Sequence, residues 1–147
     1  MPQNTTPIFP LVPKNTYLSG TPANVATPGC TANTTKDGTT GTVYGPIFTA
    51  NATNGSRLDF LKVRPLGTNN QTVMRVFVNN GSVTTTAANN TLYMERTLIA
   101  TTVSETTEQP DVIVPMNLSM QAGYRIYVTF GTVTAAGFHI TAVAGDY

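Results

Sequence analysis

Short apolar runs separated by turn residues begin at residue 42 and continue to the end of the chain. Within Thr72–Asn79, Met74 and Val76 alternate with Arg75 and Phe77, as side chains on the two faces of one strand do. Turn signals recur at intervals of about 8–15 residues, a spacing typical of an antiparallel sandwich or barrel. We predict seven strands: Thr42–Ala50, Arg57–Leu66, Thr72–Asn79, Thr91–Thr102, Asp111–Leu118, Tyr124–Phe130 and Phe138–Val143.

Three details refine this sandwich. The apolar phase of the second predicted strand changes between Phe60 and Leu61, which predicts a bulge near these residues. Pro110 and Pro115 remove ladder donors, so the fifth predicted strand is expected at a sheet edge. An eighth strand is expected either in the N-terminal segment or in Ser82–Ala88. The predicted fold is all-β, a jelly-roll-like antiparallel β-sandwich of seven or eight strands.

The first 41 residues do not show the strand pattern that begins at residue 42. Six of the ten prolines fall in the first 28 residues, where they fix φ and remove backbone donors. The apolar residues Phe9, Leu11 and Tyr17 follow neither a strand period nor a helix period. We predict an extended Pro-rich arm over residues 1–41 and a sandwich domain over residues 42–147. Because apolar side chains gain free energy by leaving water, we expect the arm to dock on its own domain or on a neighbour.

The composition restricts both the possible fold classes and the kinds of binding partner. Only 10% of the residues are Asp, Glu, Lys or Arg, against about 25% in a typical domain, while 28 are Thr and 13 are Asn. This favours strands and turns over a helical bundle. The formal net charge of +1 is too small for a protein that grips phosphate backbones, so no nucleic acid is expected as a partner. No segment resembles a membrane span or a secretion signal, so we expect synthesis in the cytoplasm and no membrane partner.

Groups for catalysis are scarce. The single cysteine, Cys30, excludes an internal disulfide and a multi-cysteine zinc site. The single histidine, His139, is expected at the surface or an interface, not as a general base. Nothing in the sequence brings two carboxylates together in a cleft, as paired-acid hydrolysis requires. We therefore expect no cofactor and no metal, and an enzyme is the least favoured interpretation.

The one acidic cluster consists of Glu105, Glu108 and Asp111. Its spacing could serve a Ca²⁺-binding loop, but a solvated connection or a salt-bridging rim is the favoured interpretation. The arginines, in contrast, fall in predicted strands. We expect strand arginines to form a basic face that pairs with the acidic segment of another subunit.

Two predicted strands place an arginine and an aromatic residue on one face away from the core: Arg75 with Phe77, and Arg125 with Tyr127. Arg, Tyr and Phe are enriched at protein interfaces. Ordinary exposed strand residues are the competing interpretation. The two arginine–aromatic pairs, the apolar arm residues and the acidic cluster are the candidate subunit or partner contacts: Phe9, Leu11, Tyr17, Arg75, Phe77, Arg125, Tyr127, Glu105, Glu108 and Asp111.

The segment Ser56–Asn69 (SRLDFLKVRPLGTN) and the tail segments Ala122–Gly131 and Ala144–Tyr147 resemble small structural proteins of tailed bacteriophages and prophages. The resemblance covers roughly residues 42–147 and rests on the general sequence pattern and on the order of the strands. It implies a virion component, in particular a capsid decoration (cement) protein, a family whose compact β-domains with extended arms bind the outer shell as oligomers, often trimers. Its partner would be the phage major capsid protein and its location the capsid surface.

The physical requirements of such a role agree with the resemblance. A shell-stabilising protein needs no catalysis, only a rigid sandwich and an arm that packs across subunits. A clamp that binds only the assembled shell stabilises that state by mass action. The alternative is a receptor- or glycan-binding sandwich of a tail fibre or tip, which usually presents exposed aromatic residues to sugars. The chain has no Trp and only six Tyr, which weakens that alternative.

Overall fold

The computed structural model describes residues 9–17 and 30–147, with Thr16 and Tyr17 described through their backbone only. This part of the chain forms eight strands and one short 3₁₀ turn, Ala87–Asn89, and contains no helix that could cross a membrane. The strands are β1 (Val12–Tyr17), β2 (Tyr44–Thr49), β3 (Ser56–Pro65), β4 (Thr72–Asn79), β5 (Asn90–Leu98), β6 (Val112–Met120), β7 (Arg125–Phe130) and β8 (Phe138–Asp146).

The strands form two four-stranded antiparallel sheets. Sheet A has the order β1-β8-β3-β6, and sheet B has the order β2-β7-β4-β5. The first strand pairs with the last, the second with the seventh, the third with the sixth and the fourth with the fifth. The chain is therefore one long folded hairpin rolled over two sheets, which is the strand order of a jelly roll. The all-β sandwich prediction is confirmed.

All seven predicted strands are present, and the eighth, β1, lies in the N-terminal segment. Strand β4 keeps its predicted bounds and buries Met74 and Val76. Strand β6 lies at the edge of sheet A, as the position of Pro115 predicted. Both ladders of β3 shift register between Leu58 and Phe60, which confirms the predicted bulge within two residues.

Aromatic side chains join the two sheets in the core. Phe130 of β7 stacks on Phe138 of β8 with ring centroids 5.5 Å apart and meets Tyr44 of β2 edge-on at 5.9 Å. Such offset and edge contacts suit the charge distribution of aromatic rings. Aliphatic residues from both inner faces fill the remainder of this core: Leu58, Leu61, Val63, Met74, Val76, Ile126, Val128 and Ile140.

Residues 30–41 lie against sheet B, and we call them the covering segment. The amide of Asn33 donates to the carbonyl oxygen of Phe130 at 2.8 Å. Gly38 has a φ of +72° and sits on the ring of Phe77, where an added Cβ would lie 3.1 Å from the ring. The covering segment and β1 thus place two parts of the predicted arm on the sandwich itself. The other parts of the arm, residues 1–8 and 18–29, lie outside the described residues.

Candidate interaction surfaces

Three loops meet at one end of the sandwich, and we call them the loop end: residues 66–71, 99–111 and 131–137. They follow β3, β5 and β7, and backbone hydrogen bonds join them. The amide of Leu66 donates to the carbonyl oxygen of Gly137 at 3.0 Å. The loops therefore support one another instead of moving separately.

Buried Asn69 is the centre of the loop end. Its Nδ2 donates to the carbonyl oxygen of Gly137 at 3.0 Å, and its Oδ1 accepts from the amides of Ala136 and Gly137 at 2.8 and 2.9 Å. Its backbone exchanges two hydrogen bonds with Thr101, at 3.0 and 2.9 Å. One side chain therefore supplies the acceptor for the buried amide of Gly137 and for the part-buried amide of Ala136.

The loop end exposes large apolar side chains. Leu66 is 41% exposed, Ile99 59%, Val103 54% and Val133 51%. Single exposed apolar residues are common, whereas these four side chains lie on three loops that hydrogen bonds join, where a protein partner can cover them. None of the four was predicted as a contact, because Leu66 and Ile99 fell at or near the ends of predicted strands and no period marks Val103 or Val133 in a turn. The usable signal was the presence of Ile, Leu and Val inside segments otherwise rich in Thr and Asn.

Arg75 and Phe77, two of the predicted contacts, are used within the chain. Nε of Arg75 donates to Oε1 of Glu95 at 2.8 Å, and its Nη1 donates to the carbonyl oxygen of Asn33. Hydrogen bonds from Lys36 and Arg75 lower the pKa of Glu95 despite some desolvation. Phe77 is 1% exposed beneath the covering segment. The structure therefore places both side chains against the chain's own residues.

Arg125 and Tyr127 lie together on the outside of sheet B, where they line an open groove of about 490 Å³ with residues 81–85. They face outward because Ile126 and Val128, which alternate with them, fill the core. Arg125 is half-buried, whereas Tyr127 is 9% exposed and forms part of the groove wall. The groove combines a guanidinium group, loop hydroxyls and an aromatic side chain, a combination suited to a carboxylate-bearing partner.

The predicted acidic cluster divides in the structure. Asp111 Oδ2 lies 2.8 Å from Lys62 Nζ, and its Oδ1 lies 3.7 Å from Arg64 Nη1. The hydrogen bond from Lys62 lowers the pKa of Asp111, against a smaller opposing effect of desolvation. Glu105 and Glu108 are exposed and have no ion-pair partner within the described residues. The pairing of strand cations with Asp111 thus occurs within one chain.

The arm residues next to β1 are exposed. Phe9 is 69% exposed and Leu11 80%, although the amide of Leu11 donates to the carbonyl oxygen of Asp146 at 2.8 Å. The backbone is therefore held on the sandwich while both side chains face solvent. The side chain of Tyr17, also a predicted contact, lies outside the described residues.

Comparisons with protein-family models, with curated proteins and with solved structures find no match to this chain. The surfaces of the molecule itself are therefore the basis for an assignment of function.

Reactive side chains lie apart from one another. Within residues 9–17 and 30–147, no three His, Cys, Asp or Glu residues form a group that could hold a metal ion. His139 is exposed, as expected from its position in the strand. Cys30 is buried, with its Sγ 3.8 Å from Oγ1 of Thr134.

Proposed function

We propose that the protein is a structural virion subunit, a capsid decoration protein that binds the outer surface of a phage head as an oligomer and stabilises the head by bridging capsomers. The loop end is the observation that carries this proposal. It presents exposed Leu66, Ile99, Val103 and Val133 on loops that the buried Asn69 holds together. Because the loops are already ordered, binding costs little conformational entropy.

The arm supplies the second contact in this proposal. Phe9 and Leu11 project from a backbone that is fixed to the last strand. Covering both side chains by a neighbouring subunit or by the shell would remove apolar surface from water, which contributes about 25 cal/mol for each Å². A subunit held at two places can link two capsomers, and it then stabilises the assembled shell by mass action.

The proposal is tested with purified heads of the encoding phage that lack this protein. The wild-type protein and an Ile99→Ser/Val133→Ser variant are added separately, and co-sedimentation measures binding. A matched control is Ile113→Ser, because Ile113 is 48% exposed but lies on the outer face of edge strand β6, outside the loop end and the groove on sheet B. We expect the wild type and the control to bind and the double variant to lose at least about tenfold in affinity.

Three results would contradict the proposal. These are a wild-type protein that does not bind heads, a wild-type protein that binds unassembled capsid protein as tightly as heads, and an Ile113→Ser variant that loses as much affinity as the loop-end variant. Electron microscopy of the decorated heads then locates the subunit and counts the copies at each position. Binding to a glycan array with no binding to heads would support the tail-fibre alternative instead.

A further inference from the structure

A few charged side chains take no part in the ion pairs of the described residues. All eight Lys and Arg and all seven Asp and Glu lie within the described residues. Six ion pairs join most of them, and Asp37 accepts hydrogen bonds from Thr35 and Thr39. Four charged side chains have no partner within residues 9–17 and 30–147, two cations and two anions: Arg96, Arg125, Glu105 and Glu108.

One of these cations lies in a groove that can receive an anion. Arg125 lines the open groove on sheet B together with Tyr127 and residues 81–85. The hydroxyl groups of Ser82 and Thr84 on the groove wall can donate to a carboxylate that already contacts the guanidinium. Arg96 is different, because it is exposed on edge strand β5 and does not line the groove.

Arg125 and the two free glutamates of the same chain are far apart. Arg125 pairs in register with Asn79, the last residue of β4. The acidic loop follows Leu98, which pairs with Thr72, the first residue of β4. Seven residue steps along a strand correspond to roughly 23 Å. The ion pairs of Asp111 with β3 also hold the end of the acidic loop at sheet A. A salt bridge to Arg125 therefore has to come from another molecule.

We propose that the loop segment 104–109 of a second copy of this chain occupies the groove and places the carboxylate of Glu105 or Glu108 against Arg125. In this contact, two copies exchange only charged groups that have no partner within the described residues of one chain. This inference rests on the oligomer of the proposed function and names the surfaces that form it. A contact between two different surfaces closes into a ring when the rotation permits. The expected trimer is such a ring.

The test measures self-association of the full chain by analytical ultracentrifugation. The variants are Arg125→Glu, Glu105→Arg/Glu108→Arg, and a chain carrying all three changes. Arg96→Glu is the matched control, since it makes the same charge change at a free arginine outside the groove. We expect each reversal alone to raise the dissociation constant at least about tenfold, the combined chain to recover most of the loss, and the control to stay within about twofold.

Several outcomes would overturn the inference. These are a wild-type chain that stays monomeric at high concentration, an Arg125→Glu variant that associates like the wild type, an Arg96→Glu variant that fails equally, or no recovery in the combined chain. The inference would also be overturned if the wild-type protein bound an acidic glycan and Arg125→Glu abolished that binding without changing self-association. The head-binding assay separates the two proposals. If the wild-type protein binds heads but its self-association does not depend on Arg125, the proposed function stands and this inference fails. If self-association depends on these charges but the protein does not bind heads, only the subunit contact stands.

Discussion

The Nζ atom of Lys14 in the first strand lies 3.1 Å from Oδ2 of Asp146 at the end of the last strand. Oδ1 of the same carboxylate accepts a hydrogen bond from the buried hydroxyl of Ser56 in β3. Three strands of sheet A therefore share one buried carboxylate. Burial opposes its ionisation, but the hydrogen bonds from Ser56 and Lys14 outweigh burial, and the pKa of Asp146 lies below its ordinary value.

Replacing Asp146 by Asn should make the free energy of unfolding less dependent on pH in the acidic range. The lowered native pKa contributes stability in full above the unfolded pKa of Asp, about 3.9, because both states are then ionised. As pH falls below this value, the unfolded chain takes up the proton first, so the contribution disappears. Urea unfolding at pH 7, 5, 4 and 3 should show a wild-type advantage over Asp146→Asn that shrinks towards pH 3. A constant difference at all four pH values would contradict this.

Replacing Asn69 by Ala should destabilise the fold by about 2–4 kcal/mol. The change leaves the part-buried amide of Ala136 and the buried amide of Gly137 without their acceptor, and an unsatisfied buried group is costly. Chemical denaturation measures the free energy of unfolding. Asn70→Ala is the matched control, because Asn70 is the exposed neighbour, and it should change stability by less than about 0.5 kcal/mol. Equal effects of the two variants would rule out the role of Asn69 as the centre of the loop end.

Replacing Phe77 by Ala should cost about 3–5 kcal/mol, because the change empties a closed space beneath the covering segment. The same experiment with Phe9→Ala serves as the control, since Phe9 is exposed and makes no core contact there. Thermal and urea unfolding should separate the two variants clearly. A Phe77→Ala protein with wild-type stability would show that Phe77 is not covered in solution.

Cys30 should report the opening of the covering segment. Its thiol is 5% exposed, so a thiol reagent should label the native protein slowly and the unfolded protein at once. Arg75→Ala removes the hydrogen bond to the carbonyl oxygen of Asn33 and should speed up the labelling. Arg57→Ala breaks the exposed pair with Asp59 on the other sheet and should leave the rate unchanged. Fast labelling of the native wild type would mean that the covering segment opens freely.

The arm can be tested without damaging the sandwich. Phe9→Ser/Leu11→Ser changes two exposed side chains, so circular dichroism and unfolding should stay at wild-type values while attachment to heads weakens at least about fivefold. Deletion of residues 1–41 is a poorer test, because it also removes β1 and the covering segment and should unfold the protein. Unchanged attachment of the double variant would exclude these side chains from the contact.

Most strands could be predicted because their own residues determine them. Met74 and Val76 show a clear period of two, and β4 has the bounds that this period predicts. Strand β1 could not be located, because Pro13 and the neighbouring polar residues leave no period. Its position depends on the pairing with β8, over a hundred residues away, and a local pattern contains no information about that partner.

The contact surfaces were less accessible to sequence analysis. Arg75 and Arg125 have the same local setting, an arginine two residues before an aromatic residue on an outward strand face. Only the fold separates them, since the covering segment lies over the first pair and leaves the second beside a groove. Likewise, Asp111 differs from Glu108 because the ladder of β3 with β6 brings Lys62 beside it.

The nested pairing of the strands also determines when each part can fold. Among the eight strands of the described residues, β4 and β5 are the only sequence neighbours that pair directly, so their hairpin is the ladder available earliest among these strands. Each further ladder joins segments that are more distant in sequence, and such contacts slow folding. On the ribosome, β1 emerges first but has no partner until β8 has been synthesised. The exposed apolar side chains beside β1 thus leave the ribosome before the sandwich is complete, and a folded domain presents them only once β8 has emerged.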